Sequence, residues 1–186
     1  MQQHREEENN MKKRILTAVL AAALVTGTCA ATVSAKEEKT YTIGICQLVQ
    51  HDALDAATKG FEDAITEKMG DSVKFDEQNA QGDSNTCSTI INSFVSEGAD
   101  LILANATASL QAAAAGTSDI PILGTAVTEY GVALGIDDFD GTVGGNISGT
   151  SDLAPLDEQA DMLHELFPDA KNVGLLYCSA EPNSQY

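Results

Sequence analysis

From Thr40 onward, short apolar runs alternate with longer stretches of helical spacing. Thr40–Cys46 (TYTIGIC) reads as a strand. Ala53–Met69 then carries Leu54, Ala57, Phe61, Ala64 and Ile65 along one helix face. Gly70-Asp71 ends that helix, and Ser72–Phe75 is a short second strand. The loop Asn79-Ala80-Gln81-Gly82-Asp83 leads into a helix over Ser84–Ser96, with Ile90, Ile91, Phe94 and Val95 as its expected buried stripe and Gly98 as its stop. Asp100–Ala104 (DLILA) is apolar after its aspartate, as suits a strand covered on both faces. Thr107–Ala115 is an alanine-rich helix, Ile120–Leu123 a fourth strand, and Val132–Leu134 a candidate fifth.

Strand and helix in strict alternation predict an α/β fold, a parallel sheet with helices on both faces and right-handed crossovers. Ligands of such sheets sit beyond the carboxyl ends of the strands. The loops of interest are therefore Gln47–His51, Asn79–Asp83, Asn105–Ser109 and Thr125–Glu129. None contains the glycine-rich phosphate-binding patterns of nucleotide folds. After Gly141 the texture changes. Gly141, Gly144, Gly145 and Gly149 lie among Asn146, Ser148, Thr150 and Ser151, which reads as a linker or crossing segment. Asp152 and Pro155 suit a helix start, with Leu156, Ala160, Leu163 and Phe167 as its apolar stripe. Asn172–Cys178 (NVGLLYC) reads as a further buried strand, followed by the loop Glu181–Ser184. The expected organisation is a leader at 1–35, an α/β lobe at 36–140, a crossing at 141–152 and an incomplete second unit at 153–186. The alternative is that the last segment completes the first sheet.

The leader carries its own pattern. Met11-Lys12-Lys13-Arg14 is basic, Ile15–Val25 is apolar, and Val33-Ser34-Ala35 ends a run of small residues, the three parts of an export signal. Glu6-Glu7-Glu8 is out of place ahead of a basic region, so translation is expected to start at Met11. Cleavage after Ala35 gives a freely secreted protein. Thr26-Gly27-Thr28-Cys29 is a poor lipoprotein box that would anchor the chain at the cell surface through Cys29.

Charge narrows the partners. After residue 35 six lysines and no arginine face 25 acidic residues, a net charge of −19. Such a surface repels nucleic acid and anionic lipid, whose binding needs lysine and arginine against phosphate. Cys46, Cys87 and Cys178 are odd in number, so no complete disulfide framework is implied; Cys46 and Cys178 read as small buried hydrophobes. No Cys/His cluster suggests a metal, and Asp138-Phe139-Asp140-Gly141 reads as a turn. No cofactor is expected, and no constellation of catalytic side chains supports an enzyme.

Several stretches together resemble the ABC-transporter substrate-binding proteins of the tryptophan/tyrosine type. They are Ile43–His51 with Leu54–Phe61, Asn79–Asp83, Gly149–Pro155, and Val173–Tyr177 followed by Glu181–Ser184. The resemblance implies a type I periplasmic-binding-protein lobe with the beginning of a second, and two lobes closing on a small ligand such as an aromatic amino acid. It also implies a membrane permease and ATPase as partners. The chain departs from the family by ending at Tyr186, which puts second-lobe contacts in doubt. A ligand carboxylate would suit backbone N–H groups at Asn105, Thr107 and Ala108 and at Thr125 and Ala126, although those residues serve equally as helix caps. The ammonium would suit Asp152 or Glu181, the former also a candidate cap. Gln47 and His51 follow the first strand and are expected to face the cleft, with a surface position near a helix start as the alternative for His51. Asn183 and Ser184 match the family's second-lobe loop, and Leu48 and Tyr130 are candidate apolar walls. The competing readings are an extracytoplasmic sensor domain and a flavodoxin-like enzyme.

Overall fold

The computed structural model describes residues 39–177, together with 179 and 184. Five strands form one parallel sheet in the order β2-β1-β3-β4-β5. They are β1 (Tyr41–Gln47), β2 (Val73–Asn79), β3 (Leu101–Asn105), β4 (Ile122–Val127) and β5 (Ile147–Ser151). The helices are α1 (Asp52–Met69), α2 (Ser84–Glu97), α3 (Thr107–Gly116), α4 (Tyr130–Leu134) and α5 (Leu156–Leu166). The chain runs outward from β1 to β2 and then crosses to β3, so the switch point lies between β1 and β3.

The period-two alternation of the central strands sorts the core onto two faces. Ile43, Ile45 and Leu103 meet Phe61 and Ile65 of α1 on one face. Cys46, Ile102, Ala104 and Ile122 meet Ile90, Ile91 and Phe94 of α2, Leu110 and Ala113 of α3 and Tyr130 of α4 on the other. Gly44 permits this second packing, because a Cβ there would stand 2.5 Å from the Phe94 ring. Val95, expected in the buried stripe of α2, is exposed; the fourth buried position is Cys87, one turn before Ile90 and Ile91.

Four expectations are corrected. β2 is longer than Ser72–Phe75, pairing residue for residue with all of β1. It is an edge strand, and its polar residues Asp76, Glu77 and Gln78 hid it from an apolar pattern. Val132–Leu134 is not a strand but part of α4. The Glu129 carboxylate accepts from the backbone N–H of Gly131 (2.8 Å) and Val132 (2.6 Å), and left-handed Gly135 closes the turn. Ile147–Ser151, read as linker, is the fifth strand. It lies so close to β4 that a Cβ on Gly149 would strike the Gly124 backbone. Finally, no strand forms over residues 172–177, where Leu175 and Leu176 are 86% and 103% exposed. The expected stripe of α5 is likewise unburied. The leader, Cys29, Cys178, Glu181 and Asn183 lie outside the described residues.

Candidate functional site

The carboxyl ends of β1, β3 and β4 form one rim, stitched by backbone hydrogen bonds between the loops that leave them. Leu48 N–H donates to Asn105 O (3.2 Å), Gly82 N–H to Leu48 O (2.8 Å), and Ala106 N–H to Thr125 O (3.0 Å). Three of the four non-glycine residues with positive φ among those described sit at strand carboxyl ends: Gln81 (55°) after β2, Ala106 (90°) after β3 and Ala126 (52°) near the end of β4. Such backbone costs about 1–3 kcal/mol per residue and concentrates where function requires a fixed shape. Ala106, with ψ 160°, lies in a region that residues bearing a Cβ rarely adopt.

A buried polar network joins the ends of β1 and β3. Gln47 Nε2 donates to Asp55 Oδ1 (2.6 Å) and Val49 O (3.0 Å), and Gln47 Oε1 accepts from Thr58 Oγ1 (2.7 Å). Asn105 Nδ2 donates to Leu54 O and Thr58 Oγ1, both at 2.9 Å, and more weakly to Gln47 Oε1. This network anchors the start of α1 to the sheet. Gln47, expected to face the cleft, is buried, with both amide atoms engaged inside the protein. Its polar atoms find partners in α1 because burial without them would cost about 1–3 kcal/mol. Asn105 differs, because its Oδ1 is buried without a partner. Asp55 and Thr58 were missed as positioning residues. Their spacing of three places them on one face of α1, but polar side chains beside Leu54 and Ala57 look like an ordinary surface in sequence.

The remaining candidates divide. Thr107 is buried at the first position of α3, Ala108 is half-buried behind it, and no side chain caps this helix. The capping role considered for Asn105 is thus unfilled. Thr125 and Ala126 are half-buried at the end of β4. Leu48 is half-buried against the larger core. His51 is exposed and caps α1, its Nδ1 accepting from Ala53 N–H (3.2 Å). Asp152 is exposed and does not cap α5, whose N-cap is Pro155; its own N–H donates to Val127 O. Ser184 is half-buried.

Two concavities flank the outer strands. A groove of about 640 Å³ beside β4 and β5 is lined by Glu129, Tyr130, Phe139, Val143, Ser151 and Leu153, among others. Tyr130 forms part of this apolar wall, and its hydroxyl donates to Thr150 O (3.1 Å). Burial pushes the Tyr130 hydroxyl up to about 12. A second hollow of about 380 Å³, between α1 and β4–β5, includes Phe61, Leu123, Thr125 and Thr150. The sequence-derived candidates therefore share a rim but not one cavity. Ser151 and Leu153 are not named as candidates in sequence because Ile147–Ser151 reads there as a linker or crossing segment rather than a strand. Among the described residues no group of acidic, histidine or cysteine side chains is arranged to hold a metal ion.

The parallel five-stranded sheet with helices on both faces has the α/β architecture of a periplasmic-binding-protein lobe. Residues 42–186 match the family model of the ABC transporter substrate binding protein, and the chain belongs to that family. It is 45% identical over 151 residues to a tyrosine-binding protein of Clostridioides difficile, covering 80% of this chain and 44% of that one. Among solved structures it is similar to a Streptococcus pneumonia ABC domain in complex with L-Trp (35% identity, TM-score 0.73, 79% of this chain and 50% of that one). It is also similar to the ligand-free, open form of a Clostridium difficile substrate-binding protein with adhesive properties (42%, TM-score 0.65, 78% and 50%). The chain spans about half the length of these relatives.

Proposed function

We propose that this chain supplies one wall of an amino-acid site in the extracytoplasmic solute-binding component of an ABC importer, with a permease and ATPase in the membrane as its partners. The lobe is residues 36–140, the crossing 141–152 includes β5, and 153–186 begins the opposing lobe. The observation that carries the reading is the uncapped first turn of α3, which is entered through the strained Ala106 and offers N–H donors to a carboxylate. An amino acid presents that carboxylate. The names of the relatives, one tyrosine-binding and one in complex with L-Trp, favour an aromatic side chain.

Calorimetric titration with L-tyrosine and L-tryptophan tests this. Binding of at least one is expected, selective against the D-enantiomers. Failure of all twenty amino acids to bind at millimolar concentration would overturn the reading. Export is checked separately, by N-terminal sequencing of the secreted protein; a start at Lys36 is expected, whereas a start at a lipidated Cys29 would indicate surface anchoring.

A further inference from the structure

The rim rests on a pair of thiols that the binding function does not use. Cys46 is the penultimate residue of β1, and Cys87 lies in the first turn of α2; both are fully buried. Each sulfur stands 3.6 Å from the same hydroxyl, Ser109 Oγ on α3. The Ser109 hydroxyl thus bridges the two thiols. We propose that Cys46 and Cys87 are a redox-active pair that closes to an intramolecular disulfide beneath the rim.

The geometry sets the order of events. The neighbouring Cys46 holds Cys87 below the ordinary thiol value, while Cys87 and burial hold Cys46 above it, so Cys87 is the first of the two to lose its proton. The oxidant is a small-molecule disulfide, RSSR. Local opening of the first turn of α2 admits it, since neither sulfur is exposed. The Cys87 thiolate attacks one sulfur of RSSR, forming a mixed disulfide and releasing RS⁻. The Cys46 sulfur then displaces the second RS group, which leaves with the Cys46 proton as RSH. The protein loses two electrons, and RSSR is reduced to two thiols. The new bond joins β1, one residue before Gln47, to α2.

The test is peptide mapping of the full chain after exposure to oxidised glutathione, with free thiols blocked by N-ethylmaleimide in denaturant. Lys39, Lys59, Lys68, Lys74 and Lys171 place Cys46, Cys87 and Cys178 on three separate tryptic peptides. The expected product is peptide 40–59 joined to peptide 75–171, two hydrogens lighter than the reduced pair and separated again by dithiothreitol. The oxidised protein should melt about 5–10 °C above the reduced one, because the bridge closes a long loop. That gain should vanish in Cys87→Ser. Should Cys87→Ser fail to fold, the mass of the wild-type link still decides the matter. The proposal is overturned if both peptides carry N-ethylmaleimide after oxidation in urea mild enough to open α2 alone. Glutathione on each cysteine without a link, or a link to Cys29 or Cys178 instead, would overturn it too.

Discussion

Ala106 holds a backbone conformation, φ 90° and ψ 160°, that the methyl group of alanine opposes and glycine does not. Its N–H is committed to Thr125 O, so the loop after β3 cannot relax without breaking its tie to β4. Relief of this strain outweighs the entropy of a glycine, and Ala106→Gly should stabilise the fold by about 1 kcal/mol. Urea unfolding measures this directly. The same variant should bind an aromatic amino acid several-fold more weakly, because the first turn of α3 loses its fixed entry; equal or tighter binding would show that the strain has no part in the site. Tyr130 makes a second, pH-dependent prediction. Its hydroxyl is raised from its ordinary 10 to about 12, so the folded state holds the proton more tightly than the unfolded state. The resulting stability is complete below pH 10 and is lost as pH rises from 10 toward 12. Tyr130→Phe should lose about 1 kcal/mol at neutral pH, the hydrogen bond to Thr150 O, and show a shallower alkaline decline than the wild type.

At the scale of elements, packing of α2 on β1 depends on Gly44. A Cβ at this position would meet three atoms of the Phe94 ring within 3 Å, and Phe94 is itself almost wholly buried. Gly44→Val should therefore destabilise by about 1–3 kcal/mol with little change in the denaturant slope, since the fold persists but the helix must lift. The central elements were legible in sequence for the same reason that they are sensitive. β1 and β3 are covered on both faces, so their apolar runs mark them; β4, expected at Ile120–Leu123, instead spans Ile122–Val127, because Gly124, Thr125 and Ala126 carry no apolar signal. The edges were not. β2 and β5 each have one neighbour and admit Lys74, Asp76 and Glu77, or Gly149 and Thr150, without penalty. α4 has only five residues, too few to reveal a helical period, and its decisive signal is the Glu129 cap rather than its apolar residues. The position of the rim followed from strand order alone. Its internal wiring did not, because nothing in a linear pattern tells that Gln47 turns inward to Asp55 and Thr58 while Asn105 keeps a bare oxygen.

The whole molecule divides by burial into a packed sheet and an uncovered C-terminal stretch. Every strand through Ser151 is hydrogen-bonded to a neighbour, and Asp152 N–H still reaches Val127 O. Beyond it, α5 has no buried residue, although Leu156, Met162, Leu163, Leu166 and Phe167 give it an apolar side. Val173, Leu175, Leu176 and Tyr177 are exposed as well. Apolar side chains in such density ordinarily lie against something, and this chain spans only about half the length of its relatives of known structure. Chymotrypsin distinguishes the two regions without knowledge of the partner. Cleavage near Leu166, Phe167 and Tyr177 should come first, at low enzyme ratio, and leave a fragment reaching at least to Asp152. Phe61, Phe75 and Phe94 should resist until the sheet unfolds, because each is held against the core. An aromatic amino acid should slow the later cuts but not the early ones if its contacts lie on the sheet rim. Equal protection of 153–177 and the sheet in the absence of ligand would mean that the exposed apolar side of α5 finds a surface within this chain, and a second lobe would then be unnecessary to explain it.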